Sequence, residues 1–431
     1  MECKGRAVLE GVTVTYEGTE TPAIEDAHLE VQQAEIVALV GRNGGGKTTI
    51  IRLLSGLIPE VYPAVVEGRV CVDRLNPMRE DVSSVLQVVQ QDVKAQVIGA
   101  TGLLEAALSP IFQGYSGGEA YDAAMKALRL FGASHLAWRS THRMSGGELQ
   151  RVALAGVSSI RPKFVLLDEP TSHLDQEGRS LLIDHLKKLR DEGVGVLVAT
   201  HDPGIVSVAD RVYTVNRGVN TGGSLETVQP RIKRLEPDGD AVLFKDVYAR
   251  YLGQRQHALK GVTLTARWSG LNVLWGPNGG GKTTVLLVAA GLLRHERGRV
   301  IVRGRVALLP QDPLLLFSKP TLAEELEYLG VKAPGWADPL MEKPVLTLSW
   351  GQLRLASLAL VFSVNRDILL LDEPTSGLDP ENRSTVIELL STAASKGRAV
   401  LATGHDPLLK AAASTVYLIR EGVIEACYGA C

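Results

Sequence analysis

Cysteine is scarce in this 431-residue chain: Cys3, Cys71, Cys427 and Cys431 are the only four, and none form a Cys-x-x-Cys pair. That spacing excludes the usual zinc-ribbon and iron–sulfur frameworks. The four are expected to be reduced thiols of a cytosolic protein. Cys427 and Cys431 have no ligand-type residues clustered beside them, so they are not expected to hold a metal. Long apolar runs are also missing; none reaches the ~20 residues that a membrane-crossing helix needs. The longest, Leu355–Val364, is broken by Ser357 and Ser363 and flanked by Arg354 and Arg366. If the protein serves a membrane process, another polypeptide must supply the spans. No signal peptide is expected, because MECKGR leads directly into strand-like residues. An excess of one charge is lacking as well. Lys plus Arg number 46, Asp plus Glu 48, and the net charge of −2 makes no general case for nucleic acid. Apolar residues make up 45%, ordinary for a chain able to bury sizeable cores.

What is present is a nine-residue stretch that occurs twice. It reads GRNGGGKTT from Gly41 to Thr49 and GPNGGGKTT from Gly276 to Thr284. Both fit the phosphate-cradling pattern Gly-x-x-x-x-Gly-Lys-Ser/Thr. Each follows a strand-like run (Ile36–Val40; Val273–Trp275) and precedes a helix-like one. Gly41, Gly44, Gly45 and Gly46 in the first loop would let backbone N–H groups close around phosphate oxygens. Gly276, Gly279, Gly280 and Gly281 would do the same in the second. The following helix points its positive end at the anion. Lys47 or Lys282 would reach the β/γ-phosphates, with Asn43 and Asn278 in the same loops, and Thr48 or Thr283 would ligate magnesium.

Taken in order, Ala7–Tyr16 and Ile24–Val31 alternate like antiparallel strands, and Glu67–Val72 and Val85–Gln90 are further strands. Residues 103–130 look helical, with a loop-like interruption at 109–118. MSGGELQR at 144–151 opens another helix, and Phe164–Asp168 is a continuous apolar run ending in acid, as in a buried parallel strand. A polar, glycine-bearing stretch near 216–240 is the expected linker, its basic cluster Arg231, Lys233 and Arg234 read as a solvated face. The expected domains are 5–220 and 241–431, joined by a linker at 221–240.

The pattern then restarts. Tyr16 precedes Gly41, and Tyr251 precedes Gly276, by the same 25 residues (41 − 16; 276 − 251). The offset between copies is 235 at the phosphate loops (276 − 41), 220 at Gln91/Gln311 (311 − 91) and 204 at Ser145/Ser349 (349 − 145). It stays at 204 through Asp168/Asp372 and His201/His405. The second copy is therefore trimmed in its middle, while the residues on either side keep register. His28, His135, His142, His185, His257 and His295 have no such repeated place and read as structural or solvated.

This order of motifs — phosphate loop, glutamine, SGGE or SWGQ, LLDEPTS, LD, then His-Asp-Pro — resembles the ATP-binding subunits of ABC transporters over nearly the whole chain, twice. The resemblance implies two tandem P-loop ATPase domains. Each would be an α/β unit with a mainly parallel sheet and helices, an antiparallel β subdomain and a helical subdomain. It implies an ATPase using ATP and Mg2+. Asp168 and Asp372, with Thr48, Thr283, Gln91 and Gln311, would hold the metal, and Glu169 and Glu373 would be the catalytic bases. His201 and His405 would contact the γ-phosphate, and Tyr16 and Tyr251 would stack on adenine; core packing is the plainer reading of a strand tyrosine. Thr49 and Thr284 complete the two loops. The signature residues Ser145, Gly146, Gly147 and Glu148, or Ser349, Trp350, Gly351 and Gln352, would bind ATP held by the other half, giving an intramolecular pseudo-dimer.

The loop QDVKAQ, with Gln96 five residues after Gln91, is similar to that of energy-coupling-factor importers of vitamins and metal ions; the second copy has Leu316 there. That class implies integral-membrane transport subunits and a small substrate-binding membrane protein as partners, a place on the cytoplasmic face of the cell membrane, and no nucleic acid. A duplicated sugar-importer ATPase, or a soluble ABC ATPase acting on ribosomes or DNA, are the other readings. Trp350 stands where Gly146 stands in the first copy, so the site using the second signature is expected to work more slowly. Comparing Glu169→Gln with Glu373→Gln in steady-state ATPase assays checks this: unequal losses are expected, and equal losses would sink the asymmetry.

Overall fold

The computed structural model describes residues 3–172, 174–221, 230–232 and 235–430. Lys233, Arg234, Cys431 and part of the expected linker lie outside the described residues. The chain divides into two compact units, Met1–Glu226 and Thr227–Cys431.

In the first unit, β1 (Arg6–Tyr16) alternates as expected, burying Ala7, Leu9, Val12 and Val14 on one face. It pairs antiparallel with β2 (Ile24–Gln32). Between them in the chain and the next partner comes β3 (Ile36–Val40), which belongs to a second sheet. β4 (Ala64–Val72) then completes the antiparallel sheet in the order β2-β1-β4. The second sheet adds β5 (Leu86–Val89), β6 (Phe164–Asp168), β7 (Gly195–Ala199), β8 (Arg211–Asn216) and β9 (Gly218–Thr221). Its order is β5-β6-β7-β3-β8-β9, parallel throughout except for the β8–β9 pair. β3, β6 and β7 are buried along their whole length, which is why they read as unbroken apolar runs. Neighbouring residues serve opposite cores. Leu166 packs with α1 (Lys47–Leu54) and the antiparallel sheet, whereas Val165 packs with helices of the other face. Those helices are α2 (Gly102–Phe112), α3 (Gly117–Leu130), α4 (Gly146–Ser158) and α5 (Gln176–Asp191).

The second unit repeats the scheme. Its antiparallel sheet is formed by β10 (Asp238–Ala249), β11 (Leu259–Trp268) and β13 (His295–Val302), in the order β11-β10-β13. The other sheet runs β14-β15-β16-β12-β17-β18, where β12 is Leu271–Trp275, β14 Val306–Leu309, β15 Ile368–Leu371, β16 Ala399–Thr403, β17 Thr415–Arg420 and β18 Val423–Gly429. Its longer helices are α6 (Lys282–Ala289), α7 (Leu322–Leu329), α8 (Trp350–Ser363) and α9 (Pro380–Ser395). The parallel sheet, antiparallel β subdomain and helices match the expected fold class. The trimmed middle has a structural meaning. Between glutamine and signature the first unit has both α2 and α3, whereas the second has α7 followed by 3-10 turns at Gly335–Leu340 and Val345–Thr347.

Two expectations are corrected. The interruption at 109–118 is shorter than the sequence suggests. α2 continues through Pro110 to Phe112, and Ser116 then opens α3 with a capping box to Glu119. Cys3 and Cys71 are not reduced thiols. The antiparallel β1–β4 pairing carries Cys71 back beside the start of the chain, 6.4 Å from Cys3 between Cα atoms, and the two form a disulfide. Cys427 is disulfide-bonded too.

His185, read as structural, is buried on α5 against Phe131 and within 2.7 Å of Ser158 Oγ. Burial, with a smaller push from Lys188, lowers its pKa from 6.5 to about 4. The folded ring stays neutral where the unfolded ring takes up a proton. Stability is therefore fully present above pH 6.5 and lost as pH falls toward 4. Denaturant unfolding of the full chain is expected to show a loss of about 2 kcal/mol between about pH 7 and about pH 5 that His185→Gln removes. An identical loss in the variant contradicts this.

Candidate nucleotide site

Each phosphate loop turns tightly between a central strand and a helix. At Gly41 an added Cβ would lie 2.1 Å from Val215 O, and at Gly276 1.9 Å from Ile419 O. The loop thus runs against the neighbouring strand where only glycine fits. The inner glycines of the two cradles have distinct jobs. Gly44 and Gly279 turn the loop at φ of 78° and 74°, with open space where a Cβ would point at Gly279. Backbone conformation, not crowding, therefore selects glycine at 279. Gly45 and Gly280 press on the adjoining strand: an added Cβ would lie 2.7 Å from Val215 O at Gly45 and 3.1 Å from Ile419 O at Gly280. Their N–H groups close the turn onto Arg42 O and Pro277 O, each at 3.1 Å. Those two N–H groups are thus engaged within the loop, whereas the expectation was that they would face phosphate.

Gly46 and Gly281 cap α1 and α6 with φ of 106° and 102°, and neither cap receives a side-chain hydrogen bond. A helix start of this kind presents its positive end to an anion. Lys47 Nζ donates to Gly41 O (2.6 Å) and Arg42 O (3.1 Å), and Lys282 Nζ to Gly276 O (2.7 Å) and Pro277 O (3.0 Å). Both lysines are buried, and the carbonyl oxygens they bond are neutral, weaker partners than an anion in the cradle.

The predicted histidines reach the same point. His201 Nε2 lies 3.1 Å from Lys47 Nζ, 3.3 Å from Asn43 Oδ1 and 3.3 Å from Glu169 Oε1. His405 Nε2 lies 3.0 Å from Lys282 Nζ, 3.2 Å from Asn278 Oδ1 and 3.7 Å from Glu373 Oε1. An Nε2 that accepts from lysine carries no proton, so it cannot donate to the glutamate at the same time. A phosphate that draws the lysine forward would change which partner the imidazole serves. Glu169 and Glu373 are held at φ of 47° and 49°, a left-handed conformation that bulky residues rarely adopt.

Asp168 and Asp372 are buried at the strand ends, each bonded to the loop threonine. Burial raises the Asp168 pKa, opposed by the Thr48 hydrogen bond and by Lys47 and Arg52. Thr283 Oγ1 donates to Asp372 Oδ2 at 2.7 Å. A carboxylate facing a hydroxyl beside a phosphate cradle is the hard-oxygen set that magnesium takes. Among the described residues no cluster of three or more His, Cys, Asp or Glu could hold a metal; phosphate and water would supply the remaining oxygens. Tyr16 OH lies 3.2 Å from Thr49 Oγ1, and Tyr251 OH 3.2 Å from Thr284 Oγ1, so both rings sit beside the loop helices.

Gln91 and Gln311 follow β5 and β14, and here the units part. In the first, Gln96 holds the loop: its amide donates to Val88 O (2.8 Å) and accepts from Gln90 N (2.8 Å). In the second, the half-buried Leu316 packs against the apolar core and Pro310 has no N–H to donate. Ser145 and Ser349 cap α4 and α8, and Glu148 and Gln352 turn back in capping boxes. Trp350 is the first residue of α8, with φ not positive, so its backbone N–H keeps the direction of a helix start. Its ring lies on Gly377: an added Cβ there would meet Trp350 Cδ1 at 2.4 Å. It also stacks within 5.6 Å of Arg354.

Sequence reasoning missed several of these residues. Arg151 joins α4 to Asp175 at 2.8 Å. Thr403 accepts from Glu373 N (3.0 Å) and donates to Asp372 Oδ1 (2.6 Å). Arg354, read only as the flank of an apolar run, is fully buried and donates to Pro310 O, Gln311 O and Asp372 O. Burial lowers its pKa to about 10, opposed by Glu373, Asp372 and Asp312, and it remains a cation at neutral pH. The sequence signal was there: the copies differ at these places, with Gln150 against Arg354 and Ala199 against Thr403.

The family model described as "ABC transporter" matches residues 24–172 and 259–376, more than half of the chain. A "Putative ABC transporter ATP-binding protein" of Saccharolobus solfataricus is 28% identical over 472 aligned positions, covering 91% of this chain and 88% of the relative. One from Methanosarcina mazei is 25% identical, covering 98% and 95%. Among solved structures, "RNase-L Inhibitor" superposes with a TM-score of 0.66 at 21% identity, covering 95% of this chain and 88% of that one. The "Model of ribosome-bound archaeal Pelota and ABCE1" gives 0.72 at 20%, covering 97% and 78%. At these identities the structural likeness is one of fold.

The Trp350–Gly377 contact predicts a coupled pair. Gly377→Ala is expected to cost about 2 kcal/mol, and about 1 kcal/mol less in a Trp350→Ala background. Additive costs in the denaturation cycle contradict the contact.

Proposed function

The chain belongs to the ABC transporter family of ATP-binding proteins, and on that premise we propose that it hydrolyses ATP to energise transmembrane import, in the manner of energy-coupling-factor transporters of vitamins or metal ions. The observation that carries the ATPase reading is that both units keep a complete Lys–His–Glu set around a phosphate cradle. We place the two ATPase domains at 5–220 and 241–431.

In this reading Lys47 and Lys282 bind the β/γ-phosphates, and Tyr16 and Tyr251 hold the adenine. Gly44, Gly45 and Gly46, with Gly279, Gly280 and Gly281, shape the cradles around the phosphates. Thr48, Gln91 and Asp168, or Thr283, Gln311 and Asp372, would hold magnesium, which would neutralise charge on the phosphates. Glu169 or Glu373 accepts a proton from water as its oxygen bonds to the γ-phosphorus; the bond to the bridging oxygen breaks and ADP leaves. His201 or His405 holds the γ-phosphate. In this reading Ser145–Glu148 and Ser349–Gln352 bind ATP as well, and an intramolecular pseudo-dimer is what the family resemblance implies.

The names of the relatives support a transport role, and two features support the importer reading: the Gln91–Gln96 spacing and the bulky Trp350 before Gly351-Gln352. Among the described residues no helix is long and apolar enough to cross a membrane. The importer reading calls for an integral-membrane partner, with a small substrate-binding membrane protein, at the cytoplasmic face. A soluble role on the ribosome is the second reading, favoured by the fold shared with the ribosome-bound neighbour. Affinity purification from native membranes separates them. We expect a co-purifying membrane subunit that stimulates ATPase, and loss of that stimulation when residues 92–144 and 312–348 are exchanged. Co-sedimentation with ribosomes, with no membrane subunit, would overturn the importer reading.

A further inference from the structure

The two units secure their glutamine loops by different means. In the first unit the clamp is local: Gln96 ties the loop back to β5 through Val88 O and Gln90 N. In the second that clamp is gone on both sides, since Leu316 replaces the glutamine and Pro310 replaces the N–H donor. The signature helix α8 holds the loop instead. Arg354 Nη1 donates to Pro310 O (3.1 Å) and Nη2 to Gln311 O (2.7 Å). One turn on, Ser357 Oγ lies 3.3 Å from Pro313 O. Arg354 also reaches Asp372 O at 3.4 Å, at the end of the strand that precedes Glu373. The first unit has Gln150 and Ala153 at the two helix positions. There α4 is tied to Asp175 by Arg151, and Leu355 stands at that place in the second.

We propose that Arg354 is a positioning residue that makes the glutamine loop and signature helix of the second unit move as one body, while in the first unit these two parts respond separately. A buried guanidinium with three carbonyl partners is costly to break, because each lost bond leaves a charge or a carbonyl unsatisfied in an apolar core. A shift at Gln311 must then carry Ser349–Gln352 with it. The consequence for turnover rests on the ATPase reading above; the mechanical coupling does not.

Hydrogen exchange of the full chain, titrated with MgATP, tests the coupling. In the wild type, peptides over 310–316 and 349–357 are expected to change protection together, with one midpoint and one rate. Peptides over 90–96 and 145–153 are expected to differ. Arg354→Gln, which installs the first unit's residue, should split the second pair; Arg354→Lys should split it less. The variant Pro310→Gln/Leu316→Gln/Arg354→Gln, which transplants the local clamp, should give a folded chain with a split response. In a Glu169→Gln background, Arg354→Gln should lower kcat about tenfold with KM within about twofold. A joint response that survives in Arg354→Gln or in the transplant overturns the proposal, as does a lowered Tm with kcat and the exchange pattern unchanged. Absence of ATPase in the wild type would overturn the enzymatic reading and leave the exchange result to decide the coupling.

Discussion

A buried ammonium group in a loop of backbone oxygens is what the rest of each unit is built to hold. Lys47 and Lys282 point back into their own loops, donating to backbone carbonyls and lying within hydrogen-bond distance of an imidazole nitrogen. Carbonyls are neutral, and a full negative charge in the loop would satisfy each lysine better than they do. The surroundings follow from that need. Glycine lets the loop touch the adjoining strand, a helix starts directly behind it, and the parallel sheet brings an acid and a histidine from two further strands to the same point.

Around this shared centre the units diverge in how its parts are connected. The first joins its signature helix to Asp175 by an ion pair and keeps its glutamine loop on its own strand. The second packs Trp350 on Gly377, runs Arg354 into the glutamine loop and links both acids through Thr403. A substitution that looked isolated in the sequence, glycine to tryptophan, is one part of a rebuilt connection. The ring is accommodated within its own unit, against Gly377 and Arg354.

Strands buried on both faces announced themselves as apolar runs, and β1 by its alternation, because burial dictates residue type directly. The phosphate loops were legible for a similar reason: close backbone approach at Gly41 and Gly45, and positive φ at Gly44 and Gly46, favour glycine at each place. What the pattern did not reveal is that the Gly45 and Gly280 N–H groups close the turn itself. The Arg354 contacts were not legible. They join residues some forty positions apart, and only packing of α8 under the glutamine loop creates them. Gln96 was visible as a family-like spacing, yet its hold on β5 depends on where a short helix turns. The cysteines were misread because their number and spacing argued for reduced thiols, whereas strand register decides which of them meet.

We propose that one chain carries two unequal ATP-hydrolysing sites. Rapid-quench measurement of a single round of hydrolysis, with MgATP prebound to the full chain, tests it most directly. Two phases of different rate are predicted, each with an amplitude near one phosphate per chain. A single phase, or release of one phosphate per chain in total, would contradict it.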